Sequence, residues 1–229
     1  MATGRETMTL EEAIRGRRSI RKFRRDPIPE EVLREILDQV RWAPSWGNTQ
    51  PWEFVVLTGD ALEEYRTTKR HKMMVAGDAF SPDIPMPEVW PEPLKKRYIE
   101  TGKIVLTAMG IAREDKEGRN RLYENMALLF DAPCLVIACI DAKSLVEYAM
   151  LDIGLILQTL CLSAYDKGIG SCIMAVSIGY PALLRRIAAI PDDRRIVMGV
   201  ALGYPDPDYP LNRFERVRAD VSEFVRWVR

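Results

Sequence analysis

"APSWGNTQPWEFVVLT" (Ala43–Thr58) holds a helix stop, a polar loop and a strand in one short passage. The periodic stretch Pro29–Ala43 ends at Pro44, because the residue before a proline is pushed away from helical geometry. Within that stretch Val32, Leu33, Ile36, Leu37 and Val40 share one face, and Glu30 and Glu31 suit the positive N-terminal end of a helix. Pro51–Thr58 reads as a strand closed by Gly59-Asp60. Between them Pro44, Ser45, Gly47 and Asn48 are ordinary turn residues. A turn does not explain why two amides, Asn48 and Gln50, sit between Trp46 and Trp52. Amides donate and accept, which suits recognition of a heterocycle edge.

Outward from this passage the same alternation continues. Thr9 and Glu12 form a capping box that predicts a helix from Leu10 to about Arg17. Another helix is expected from Ala61 to about Met74. Five prolines between Pro82 and Pro93 forbid regular structure, so an ordered loop or lid is expected there, with helical pattern resuming over Leu94–Ile111. Pro133–Asp141, Ser171–Ser177 and Arg195–Pro205 read as buried strands. The long apolar helix Tyr148–Tyr165 lies between the first two, with Gly168 as its C′ terminator. These elements predict one α+β domain over residues 1–229, with a small central sheet and a Pro-rich lid or insert at about 77–120. Residues 206–229 form an extended arm, rich in arginine and aromatics, that needs another surface to lie on.

Composition narrows the function. The 229 residues carry 33 Lys+Arg against 33 Asp+Glu, which argues against a dedicated nucleic-acid binder. No apolar N-terminal run follows a basic start, so no signal peptide is expected. Asp152 and Gln158 mark the apolar helix as a core helix, not a membrane span. The four cysteines lie in apolar runs without a CxxC pair, which predicts buried free thiols and a cytoplasmic setting. A single histidine, His71, removes His-based metal sites and argues against a Ser-His-Asp triad.

"RGRRSIRKFRRDPIP" (Arg15–Pro29) then raises a question, since it holds seven basic residues before its first acid. A solvated helix end accounts for it as well as a binding site does. Yet Arg17, Ser19 and Arg21 stand where a short helix gives way to irregular chain, so two guanidinium forks and a hydroxyl could meet one anion. Nucleic acid is the rival ligand. Against it, no aromatic platform follows and Asp26, Glu30 and Glu31 cancel the charge at once.

"RRSIRKF", "APSWGNTQPWEFVV", "FDAPCLVIACID", "GIGSC" and "ALGYPD" occur in the order seen in the flavin-dependent nitroreductase family, and the chain resembles that family over nearly its whole length. The stretch "MPEVWPEPLKKRYIETGK" with "LTAMGIAREDK" looks like the subgroup that includes nitrobenzoate reductases. The resemblance implies a mostly antiparallel sheet flanked by helices and an intertwined homodimer with FMN at the subunit interface. Arg17, Arg18 and Ser19 then match contacts to the FMN phosphate and ribityl chain, and Arg21 matches the cation near the flavin N1/O2 edge. Pro44, Ser45 and Asn48, supported by Gln50, match a loop reaching the flavin bound mainly by the partner. Asn125 matches an amide at the pyrimidine edge. Ile173, Met174 and Ala175 match the strand end over the flavin, with the Ala175 N–H facing N5. Arg216 and Arg218 match a C-terminal pair closing on the phosphate, with Arg213 a neighbour.

Chemistry would then run on the cofactor, and no side chain need be acid, base or nucleophile, so the lack of histidine is no obstacle. The implied activity is NAD(P)H-dependent reduction of a nitroaromatic, quinone or similar small aromatic oxidant by a ping-pong mechanism. No full G-x-G-x-x-G is present, so a separate dinucleotide domain is not expected. Reductive deiodination, enone reduction, flavin destruction and non-enzymatic flavin binding are the alternatives. Trp46, where small residues are common, and Met126, where an aromatic is common, depart from the family pattern. Both are candidates for bordering the substrate, although helix packing also accounts for Met126. Trp90 and Tyr98 are candidates for packing over the site.

Overall fold

A computed structural model describes residues 8–229. Its helices are α1 (Leu10–Gly16), α2 (Glu30–Val40), α3 (Gly59–His71), α4 (Glu92–Ala108), α5 (Lys116–Ala127), α6 (Val146–Asp166) and α7 (Pro181–Ala188). Strands β1 (Trp52–Thr58), β2 (Cys134–Asp141), β3 (Gly170–Met174) and β4 (Arg194–Gly203) form one sheet in the order β1-β2-β4-β3. Every neighbouring pair is antiparallel, as the α+β expectation requires. β2 is buried on both faces, so its apolar run is nearly unbroken. Leu135, Ile137 and Cys139 point into one core, and Val136, Ala138 and Ile140 into the other. α2 and α6 close the second core with Ile36, Val40, Ile153 and Leu160. α3 and α7 close the first with Leu62, Tyr65, Leu183 and Leu184.

Several boundaries differ from the sequence reading for local reasons. α2 stops at Val40, not Ala43, because the approach to Pro44 tightens into i→i−3 bonds from Trp42 to Gln39 and from Ala43 to Val40. β3 ends at Met174, not Ser177. There the Ser177 hydroxyl donates to the Met174 carbonyl (2.5 Å), and Ala175–Ile178 curls into a 3-10 turn. α7 is not expected from the sequence, and α5 only as the helix in which Met126 packs. α5 (KEGRNRLYENMA) is mostly polar or charged and shows no apolar stripe, whereas α7 is short and starts at Pro181, a proper first-turn position. Gly168 does terminate α6. At φ 75° it donates to Tyr165 O and Ile169 donates to Ala164 O, the two bonds of a Schellman motif. α6 is long and apolar enough to cross a membrane. One face of it lies on the sheet, while Tyr148, Leu151 and Leu155 are exposed on the other. The four cysteines are free and buried, as expected.

The turn after α5 is unusual. Leu129, Phe130 and Asp131, none of them glycine, all take positive φ (56°, 56° and 65°). Buried cations of α3 brace it. Lys69, fully buried, donates to the carbonyls of Ala127 (2.8 Å) and Met126 (3.3 Å) at the negative end of α5. Arg66 donates to Ala132 O (3.0 Å), and Asp131 accepts from Lys22 (2.5 Å) and Arg25 (2.7 Å). Burial pushes the Lys69 ammonium down to about 7. The unfolded chain therefore binds a proton at Lys69 that the folded chain has lost, across roughly pH 7–10. Stability from this group rises with pH over that window. Lys69→Met removes the rise, as urea midpoints at the two ends of the window will show; an unchanged slope would mean the amine stays charged, held by its carbonyls.

Candidate active site

The basic segment is placed by β3. Ser19 forms a parallel bridge with Ser171, Ile20 N–H donates to Ser171 O (2.9 Å), and Phe23 bridges Pro205. Ser19–Phe23 thus runs beside β3 almost as a further strand. The close approach needs Gly170. A Cβ there would lie 2.6 Å from Ile20 Cγ1 and 2.8 Å from Pro205 Cγ.

The arm after Pro205 clasps this segment from outside. Asn212 is buried and fully used: its carboxamide oxygen accepts from Arg21 N–H (2.7 Å), its Nδ2 donates to Lys22 O and Asp206 O (2.8 Å each), and its carbonyl accepts from Arg18 (2.6 Å). Arg216 donates to the carbonyls of Arg15 and Arg17. Asn212 escaped the sequence reading, since a lone asparagine in a polar tail carries no spacing signal.

Folding sorts the basic residues into two classes. Arg15 pairs with Glu11, Arg24 with Asp26, Lys22 and Arg25 with Asp131, and Arg213 with Asp208. Among the described residues Arg17, Arg18, Arg21, Arg216 and Arg218 have no acidic partner. Arg17, Arg18, Arg216 and Arg218 also crowd one another. The Arg216 guanidinium is held below its usual range first by burial and then by the charges of Arg18, Arg218 and Arg17. A cluster of guanidiniums without a carboxylate has the chemistry of an anion site.

A cavity of about 620 Å³ opens beside this cluster, with Arg21 on its wall. Ile173, Met174 and Ala175 form its floor at the end of β3, and Met126 and Phe130 also line it. The Arg21 guanidinium lies 5.6 Å from the Phe214 ring centre, so the arm helps to aim it. The neighbouring Cys172 thiol is pushed up to about 11, chiefly by burial, and is a neutral part of the wall. Met126 thus packs in its helix and borders the cavity as well.

Other candidates stand elsewhere. Pro44, Ser45, Asn48 and Gln50 do not line the cavity within one chain. Gly47, Asn48 and Gln50 take positive φ, and the Gln50 N–H donates to Ser45 Oγ (2.9 Å), which folds the loop on itself. Buried Asp152 of α6 accepts from Trp46 N–H (3.0 Å) and ties the loop to that helix, where the Trp46 ring lies 5.6 Å from Tyr148. Asn125 is half-buried on α5 beside Tyr209, whose buried hydroxyl lacks a hydrogen bond of good geometry. Trp90 and Tyr98 stack on each other (6.1 Å) away from the cavity wall, while Phe80 and Met86 of the Pro-rich segment reach it.

Residues 14–204 match the family model described as "Nitroreductase family". The chain belongs to the nitroreductase family. Its similarity to known nitroreductases spans nearly the whole length. It is 32% identical to a chloronitrobenzene nitroreductase of Comamonas testosteroni, covering 96% of each chain. It is 30% identical to a 4-nitrobenzoate reductase of Pseudomonas putida, covering 97% of this chain and 96% of that one. The fold superimposes on the FMN-dependent nitroreductase NfnB of Mycobacterium smegmatis, solved in complex with NADPH, with a TM-score of 0.89 at 30% identity, covering 96% and 97% of the two chains.

Proposed function

We propose that this nitroreductase is an FMN-dependent enzyme that passes reducing equivalents from NAD(P)H to a nitroaromatic, quinone or similar small oxidant. The observation that carries this is the set of five guanidiniums without acidic partners beside an apolar cavity. A flavin mononucleotide fits both halves: a doubly charged phosphate for the cations and a flat ring for the cavity. Bound there, FMN would supply two-electron transfer between a reduced nicotinamide and the oxidant. Arg17, Arg18, Ser19, Arg216 and Arg218 would hold the phosphate and ribityl chain. Arg21 would stabilise the negative charge that reduction places on the pyrimidine ring. Asn125, beside Tyr209, would meet the pyrimidine edge, and Ile173, Met174 and the Ala175 N–H would support the ring from the end of β3.

Half of the site is supplied by a second copy in this reading. Pro44, Ser45, Asn48 and Gln50 point to a flavin other than their own chain's. Several surfaces in one chain are apolar and uncovered: Tyr148, Leu151 and Leu155 on α6, and Val217, Phe224 and Trp227 on the arm. α4 has no buried residue at all. A two-fold dimer covers such faces with one another.

The purified protein is therefore expected to be a yellow dimer with about one FMN per chain, the count that one phosphate site per chain allows. It should oxidise NAD(P)H faster when a nitroarene is added. Mass spectrometry of the released cofactor, sedimentation and absorbance at the nicotinamide band check the three parts. FAD in place of FMN, a monomer that retains flavin, or no acceleration by any nitroarene or quinone would each overturn the part concerned.

A further inference from the structure

The charges on the cavity wall bear on which aromatics it accepts. Among the described residues Arg21 is the one cation that lines it, and Asp78 the one acid. Asp78 follows Gly77, whose φ of 67° turns the chain at the end of the π-helical turn Lys72–Ala76. The nearby cation, Lys72, is spent. Its Nζ lies 2.5 Å from Asp78 Oδ2 and 5.9 Å from the centre of the Tyr180 ring. The node is fixed from both sides: Asp78 N–H donates to Lys72 O (2.9 Å) and the Tyr180 hydroxyl donates to Asp78 O (3.2 Å). The rest of the wall is soft and apolar, with Met73, Met86, Met126, Met174, Phe80 and Phe130. Such a wall adapts to flat rings of varied outline.

We propose that this cavity selects uncharged over carboxylated aromatic substrates, and that Asp78 sets the preference by neutralising Lys72 and presenting its own charge. The inference rests on the assignment of Arg21 to the flavin, which leaves no free cation among the described lining residues for a substrate carboxylate. An aryl carboxylate entering this end loses water, finds Lys72 already paired and meets Asp78. A nitrobenzene or a quinone brings no charge to set against Asp78 and packs on the methionine, aromatic and aliphatic surface.

The test uses the FMN-loaded protein with two kinds of probe. Calorimetric binding of benzamide and benzoate reads the charge preference without turnover. kcat/KM for nitrobenzene and 4-nitrobenzoate reads it in reduction. Both ratios should favour the uncharged compound by at least about tenfold, roughly 1.4 kcal/mol for a carboxylate that loses water and finds no free partner. In Asp78→Asn, Lys72 is released and the benzoate-to-benzamide affinity ratio should rise by about tenfold. The double variant Asp78→Asn/Lys72→Met should lose that gain, which separates a freed cation from a general loosening of the turn. Equal or better binding of benzoate by the natural chain, or a ratio unmoved by Asp78→Asn, overturns the proposal. Turnover of neither nitroarene, with benzamide still bound preferentially, would instead refute the proposed reaction and leave the charge preference standing.

Discussion

Arg216→Gln is expected to raise the dissociation constant for FMN by about 10- to 100-fold, the loss of one charge-assisted hydrogen bond of roughly 1.5–3 kcal/mol. Arg17→Gln should do the same. Arg24→Gln should stay within about twofold, because a cation paired with an exposed acid contributes little, and Arg24 is already paired with Asp26. Arg216→Lys should recover part of the loss, since lysine keeps the charge and gives up the two-pronged fork. Arg21→Gln differs in kind. It should leave phosphate affinity largely intact and lower the flavin potential by about 30–60 mV, the same bond energy read as a two-electron potential. Fluorescence titration of FMN and spectroscopic redox titration separate the two effects. Equal loss of affinity in Arg24→Gln and Arg216→Gln would mean that the sorting of these cations by their acidic partners is irrelevant to binding.

Asp131→Asn is expected to cost about 2–4 kcal/mol of stability, or a fall in Tm of roughly 5–15 °C. The carboxylate is largely buried, accepts from Lys22 and Arg25, and lies 4.0 Å from buried Arg66. Asparagine tolerates the left-handed backbone that Asp131 requires, so this variant isolates the charge. Asp131→Ala should cost about 1 kcal/mol more for the backbone conformation. Burial alone would raise the carboxyl pKa, but hydrogen bonds and charge from Lys22 and Arg25 outweigh it and hold the group below its usual range. Its contribution is therefore complete above the unfolded carboxylate value near 4 and is lost as pH falls through the lower folded value. The gap between the natural chain and Asp131→Asn should narrow in acid, as thermal melts from pH 7 down to pH 3 will show. A constant gap would place the cost in packing and not in charge.

Much of this architecture is legible in the sequence. The capping box at Thr9, the apolar stripe of α2, the Gly168 terminator and the double-sided run of β2 are local signals, set by residues within a few positions of one another. α5 was not legible because its helical state is enforced by what it packs on and not by an apolar period, while α7, whose Leu183, Leu184 and Ile187 do share a face, is only 8 residues long. The left-handed run Leu129–Asp131 had no local signal either. It persists because Lys69, Arg66, Lys22 and Arg25, up to 109 positions away in the chain, hold the carbonyls on either side of it and the Asp131 carboxylate.

The candidate site divides along the same line. The motif around Arg17, Ser19 and Arg21, the amide-bearing loop and the arginine-rich arm can each be read from residue types alone, because the chemistry of a guanidinium or an amide travels with the residue. Which basic residues stay available cannot be read that way. Seven stand together between Arg15 and Arg25 in a chain of zero net charge. Glu11, Asp26 and Asp131 neutralise four of them, and the arm adds Arg216 and Arg218 to the three that are left. Coulomb attraction depends on distance in space, so only the folded chain decides which cations are paired off and which still face an empty side.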